Sequence, residues 1–200
     1  RLDCRSLQYK YFPFDPKGFK LVLLNSQVKH ELASSAYNDR RRSCENVVEV
    51  MKKHWPEVET LRDATYDMLD AVRSEVSEED ALRAKYVIGE KYRVLEVCVA
   101  LEEGDYEEVG KKMYETHYGL SKEYEVSCPE LDFLNDVAHS CGVTGSRIMG
   151  GGFGGCTINL VAEDLYDNFI STAKQAYKEK FGKEPIVIDV VIGDGARKLC

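Results

Sequence analysis

The chain has 200 residues, 44% of them hydrophobic and 31% charged, the composition of a globular protein with a core to bury rather than of a disordered one. Lys and Arg number 27 against 35 Asp and Glu, a net charge of −8, which disfavours nucleic acid and anionic membrane as partners because phosphate binding asks for a basic footprint. No apolar run approaches the roughly 20 residues that cross a bilayer, and the cysteines and histidines show no metal-ligand spacing, so neither a membrane span nor a zinc site is expected.

The seven cysteines contain no Cys-x-x-Cys pair and read as reduced thiols of a cytoplasmic protein. Arg1-Leu2-Asp3-Cys4 has neither a starting Met nor the order of a signal peptide, which predicts a piece of a longer protein.

Residues 1–30 read as strand territory. Leu21-Val22-Leu23-Leu24 is an apolar run entered through the turn signal Pro16-Lys17-Gly18, and Tyr9, Tyr11, Phe12 and Phe14 predict a strand before it. From about residue 31 the period becomes helical. Tyr37, Cys44, Val48, Met51 and Trp55 fall near one face, and Pro56 ends the run. The longest helix is predicted over 78–102, with Ser77 as cap, acids in the first turn, an apolar stripe of Ala84, Ile88, Tyr92, Leu95 and Val99, and Gly104 as stop.

A helix follows from Asp105, with Tyr106, Val109, Met113 and His117 three or four apart. Ser127-Cys128-Pro129-Glu130 predicts another, with Ser127 as cap and Pro129 in the first turn. Its stripe is Leu131, Leu134, Ala138 and Cys141, and Gly142 ends it. Past the glycine-rich stretch, Thr157 to Ala162 alternates as a strand. Leu165 to Phe181 is helical, with Leu165, Phe169, Ala173 and Ala176 inward, and Ile186 to Ile192 is a last strand before Gly193-Asp194-Gly195. Helices interspersed with strands that short parallel crossovers cannot all join define the α+β class.

Five of the fifteen glycines lie within Gly150-Gly151-Gly152-Phe153-Gly154-Gly155. Glycine admits positive φ and close approach of a second backbone or a phosphate. The run contains G-x-G-x-x-G, but a dinucleotide fold needs a helix after it, and here a strand follows; no Gly-Lys-Ser/Thr makes it a P-loop. Composition leaves packing and support of a phosphate loop evenly matched.

Residue order breaks the tie. Gly145-Ser146-Arg147-Ile148-Met149-Gly150-Gly151-Gly152-Phe153-Gly154-Gly155-Cys156 resembles the third conserved motif of the GHMP small-molecule kinases, in the form carried by their galactokinase branch. The stretch Asn25 to Glu45, with Lys29-His30 and Tyr37-Asn38-Asp39-Arg40-Arg41-Arg42, resembles the segment after that branch's catalytic region. Tyr124 to Asp132 and Arg1 to Leu7 are similar to two further stretches of it, in the same order along the chain.

The resemblance implies an antiparallel sheet packed with helices, the C-terminal domain type of GHMP kinases, over residues 31–200. Residues 1–30 would supply strands from the end of an N-terminal domain. It also implies ATP-dependent, Mg²⁺-assisted phosphorylation of the anomeric hydroxyl of galactose. A galactose- and ATP-binding sensor and an N-acetylgalactosamine kinase are the alternatives.

On the same ground Tyr37 is expected to contact the sugar, offering an apolar face and a polar tip. Gly150, Gly151, Gly152, Phe153, Gly154 and Gly155 are expected to support the phosphate loop, and Lys29 to lie near the nucleotide phosphates. The phosphate loop, the catalytic aspartate and the metal site are expected upstream of Arg1, so no residue of this chain is assigned a catalytic or metal-binding role. The chain alone is expected to be inactive and to self-associate through apolar surface near residues 1–30. Arg41 is expected to pair with Glu45 four residues on, and His30 and His117 to be structural.

Overall fold

The computed structural model describes residues 1–29 and 33–193, with backbone alone for residues 33–35. His30, Asp194-Gly195 and Cys200 lie outside the described residues. Four strands, β1 (Phe19–Asn25), β2 (Gly145–Met149), β3 (Cys156–Ala162) and β4 (Ile186–Val190), form one sheet in the order β2-β3-β1-β4. Every neighbouring pair is antiparallel. The helices are α1 (Ala33–Met51), α2 (Tyr66–Ala71), α3 (Glu78–Glu103), α4 (Tyr106–Tyr118), α5 (Pro129–Ser140) and α6 (Tyr166–Phe181). The α+β architecture with an antiparallel sheet follows the reading of the sequence.

Local chemistry explains the helix ends. Ser77 accepts a hydrogen bond from the Asp80 amide and Asp105 one from the Glu108 amide, each satisfying an otherwise orphaned first-turn donor. Gly104, at φ 72°, closes α3 in the left-handed conformation.

The sheet has two unlike faces. On one, Val22, Leu24 and Val161 are fully buried against Leu134, Ala138, Phe169 and Ala173 of α5 and α6. Full burial of a side chain such as Phe169 stabilises by about 1.5–3 kcal/mol. Leu160, on the opposite face, packs with Ala100 and Val109 of α3 and α4. A separate helical core joins α1, α2 and α3 through Val47, Met51, Leu69, Ala84 and Ile88. Between helices and sheet lies a small cluster of Tyr86, Leu120, Val126, Leu131 and Ile148, with Phe153 against it.

Four expectations are corrected. Residues 9–14 form no strand: Tyr9 makes a single bridge to Leu2, and Tyr9 and Tyr11 stand in solvent. Gly145–Met149, read as the head of the glycine stretch, is strand β2. The α3 stripe is buried at Ala84 and Ile88, but Leu95 and Val99 are exposed where neighbouring helices no longer cover it. Ser127 does not cap α5; its hydroxyl turns to Asp132, and Cys128 takes the cap position without a side-chain bond. Strand β1, within residues 1–30, pairs with both β3 and β4.

Candidate functional site

The six residues 150–155 connect β2 to β3 as a hairpin loop, with Met149 and Cys156 the last paired residues on either side. Gly150, Gly152, Gly154 and Gly155 all have positive φ, and so does Phe153. The loop has an open end and a packed end. At Gly150 and Gly151 an added Cβ would meet nothing within 4 Å. At Gly152 it would lie 2.2 Å from the Val126 carbonyl oxygen, and at Gly154 2.9 Å from that of Val28. Only glycine lets three backbone segments approach this closely.

Hydrogen bonds fasten the packed end. The Phe153 amide donates to Val126 O. The Ser26 amide and hydroxyl both donate to Gly155 O, each at 2.8 Å, and buried Tyr177 donates to Ser26 O at 2.7 Å. The loop is therefore gripped from two sides, by residues 26–28 at the end of β1 and by residues 124–126 ahead of α5.

Lys29 is next in the chain to the first of these grips, and Tyr37 stands near Tyr124 at the second. Lys29 is exposed and directly follows Val28, on which Gly154 rests. Tyr37 projects from the first half of α1 and is 48% exposed, so its phenol is open to a ligand rather than sealed in a core. Burial first, then neighbouring Cys44 and Tyr37, push the Tyr124 phenol above its ordinary range. Arg41 pairs with Glu45 at 2.7 Å, as the spacing predicts.

Two features escaped sequence reasoning. Arg40 reaches out from α1 and donates to the carbonyls of Tyr124 and Glu125, at 3.2 and 2.7 Å. Main-chain acceptors carry no sequence signature, so nothing in the residue order announces this contact. His117 of α4 is buried and stands 3.2 Å from Asp132 Oδ1 of α5, a partner on another helix.

Asp132 also accepts from the Ser121 and Ser127 hydroxyls. Burial raises its pKa, but the bonds from His117, Ser127 and Ser121 outweigh this and hold it at about 2. Both serines bond to the carboxylate and neither to the imidazole, so no nucleophile–base pair is formed. The cluster is structural, tying the π-helical turn Gly119–Glu123 to the head of α5.

Among the described residues, no three His, Cys, Asp or Glu side chains are grouped to hold a metal ion. None of the described helices is long and apolar enough to cross a membrane.

Residues 98–179 match the family model described as GHMP kinases C terminal. Over its whole length it is similar to galactokinases. It is 40% identical to that of Clostridium beijerinckii over 99% of this chain and 51% of the relative. Identity to that of Homo sapiens is also 40%, over 100% of this chain and 49% of the relative. The chain thus spans about half the length of the curated relatives it matches.

Among solved structures, Lactococcus lactis galactokinase complexed with galactose superposes with a TM-score of 0.92 at 30% identity, over 99% of this chain and 51% of that one. L. major mevalonate kinase in complex with R-mevalonate shares the fold, with a TM-score of 0.56 at 21% identity over 86% of this chain and 41% of that one.

Proposed function

We propose that this chain is the C-terminal portion of a galactokinase, which in its full length transfers a phosphoryl group from ATP to the anomeric hydroxyl of galactose. The observation that carries the reading is the match over 99% of the chain to a galactokinase holding galactose, at a TM-score of 0.92. The local geometry supports it. Phosphoryl transfer is chiefly positioning and charge neutralisation, so a domain can contribute without holding the catalytic base.

In this reading the Tyr37 phenol offers a flat apolar face to the sugar ring and a hydroxyl to its polar edge. Lys29 presents an ammonium toward the nucleotide phosphates. The open end of the glycine loop lets the phosphate-binding backbone of the rest of the protein come close without steric conflict. The reaction class calls for Mg²⁺ to neutralise phosphate charge. Among the described residues no three His, Cys, Asp or Glu ligands are grouped to hold it, and the ion is proposed to bind mainly the part of the full-length protein outside this chain.

The test is galactose-dependent ADP formation by the full-length protein, with N-acetylgalactosamine as competing acceptor and the 200-residue chain as control. The expected result is turnover with galactose by the full-length protein and none by the chain alone. A folded full-length protein that makes no ADP with galactose overturns the proposal.

A further inference from the structure

We propose that Arg40 is a positioning residue that couples the sugar side of the site to the phosphate side, an inference that rests on the sugar-kinase reading of Tyr37 and the glycine loop. Arg40 lies on α1 three residues after Tyr37, and its side chain is 15% exposed. Its guanidinium makes three hydrogen bonds, all to backbone carbonyls: Tyr124 O at 3.2 Å, Glu125 O at 2.7 Å and Ala36 O at 3.4 Å, one turn back on its own helix. The same group stands 5.4 Å from the centroid of the Phe153 ring, within cation–π range. One side chain therefore touches α1, the 124–125 turn and the glycine loop.

The turn it grips is the one the loop leans on. Val126 O accepts from the Phe153 amide and faces Gly152 so closely that no Cβ fits between them. Glu125 has φ 55°, a conformation that a non-glycine residue holds only when its surroundings impose it. Two arginines impose it here: Arg40 through the Glu125 carbonyl, and Arg83 through the Glu125 carboxylate at 3.0 Å. Arg83 in turn donates to Ser43 of α1 at 2.8 Å. Helix α1 cannot shift relative to the glycine loop without breaking this set.

The geometry also separates arginine from lysine. Two carbonyls and a ring face are met at once by a planar guanidinium with several fixed N–H groups. A lysine keeps the charge but not the planar fork, so its ammonium cannot reproduce these fixed directions to two carbonyls while lying against the Phe153 ring.

The experiment compares Arg40→Lys and Arg40→Gln with the parent full-length protein by amide hydrogen exchange and by steady-state kinetics. In both variants, exchange across residues 149–156 is expected to quicken by about fivefold or more while α6 is unchanged. In the lysine variant the KM for galactose is expected to rise about tenfold, with kcat within about threefold. Unchanged exchange at 149–156, or an equal rise in α6, overturns the coupling. Faster exchange at 149–156 with unaltered KM overturns the positioning role. Should the parent protein show no galactose phosphorylation, the functional reading falls by itself, and the exchange measurement alone decides the coupling.

Discussion

Gly150 and Gly152 stand two residues apart in one hairpin loop with almost the same φ, 85° and 83°, and differ in everything around them. Gly150 faces open space, whereas Gly152 is pressed against the Val126 carbonyl. Glycine is required at the first for conformation alone and at the second for conformation and room together. The loop thus divides into a rigid end, built into this domain, and a free end turned outward.

The contrast breaks most readily at Gly152. A methyl there would sit 2.2 Å from Val126 O in a backbone already at positive φ. Gly152→Ala is expected to cost about 3 kcal/mol or more, combining overpacking with left-handed strain. Urea unfolding, read as a fall in midpoint at unchanged slope, checks it. A change below about 0.5 kcal/mol would show that the loop is not packed as described.

A smaller effect sharpens the packed end from beneath. Asp132 orients Ser127, the residue after Val126, and its pKa lies at about 2 against an ordinary 3.8. A carboxylate with a depressed folded pKa contributes stability that is complete above the unfolded value and lost as pH falls through the folded one. The thermal midpoint of the parent protein is therefore expected to fall between about pH 4 and pH 2 more steeply than that of Asp132→Asn. Parallel curves for the two proteins would remove Asp132 from the support of this turn.

The sequence was legible where one element's chemistry is self-contained. Ser77, Gly104, Asp105 and Gly142 marked helix ends, and strands β1, β3 and β4 and helix α6 follow their apolar periods. It failed where a second segment decides the outcome. Strand β2 is hidden because Ser146, buried at 0% exposure, breaks its apolar pattern, and only pairing with β3 reveals it. Tyr9 and Tyr11 look like strand residues, yet no named strand among the described residues pairs with them. Ser127 has the spacing of a cap, but a nearby carboxylate outcompetes the helix amides for its hydroxyl.

The site shows the same split. The glycine loop and Tyr37 stood out by residue order, whereas the Arg40 contacts and the His117–Asp132 pair join segments far apart in the chain. Contact with a second element or a competing side chain, rather than subtlety of chemistry, separates what could be read from what could not.

Gly151 offers the most direct test of the central claim that the free end of the loop serves a partner surface. Its φ is not left-handed and an added Cβ would meet nothing within 4 Å, so Gly151→Ala leaves this domain's own packing intact. In the full-length protein the account predicts a thermal midpoint within about 2 °C of the parent. Galactose-dependent ADP formation is expected to fall by about tenfold or more, the scale expected when a group is displaced by about 1 Å. Full activity in the stable variant would contradict it.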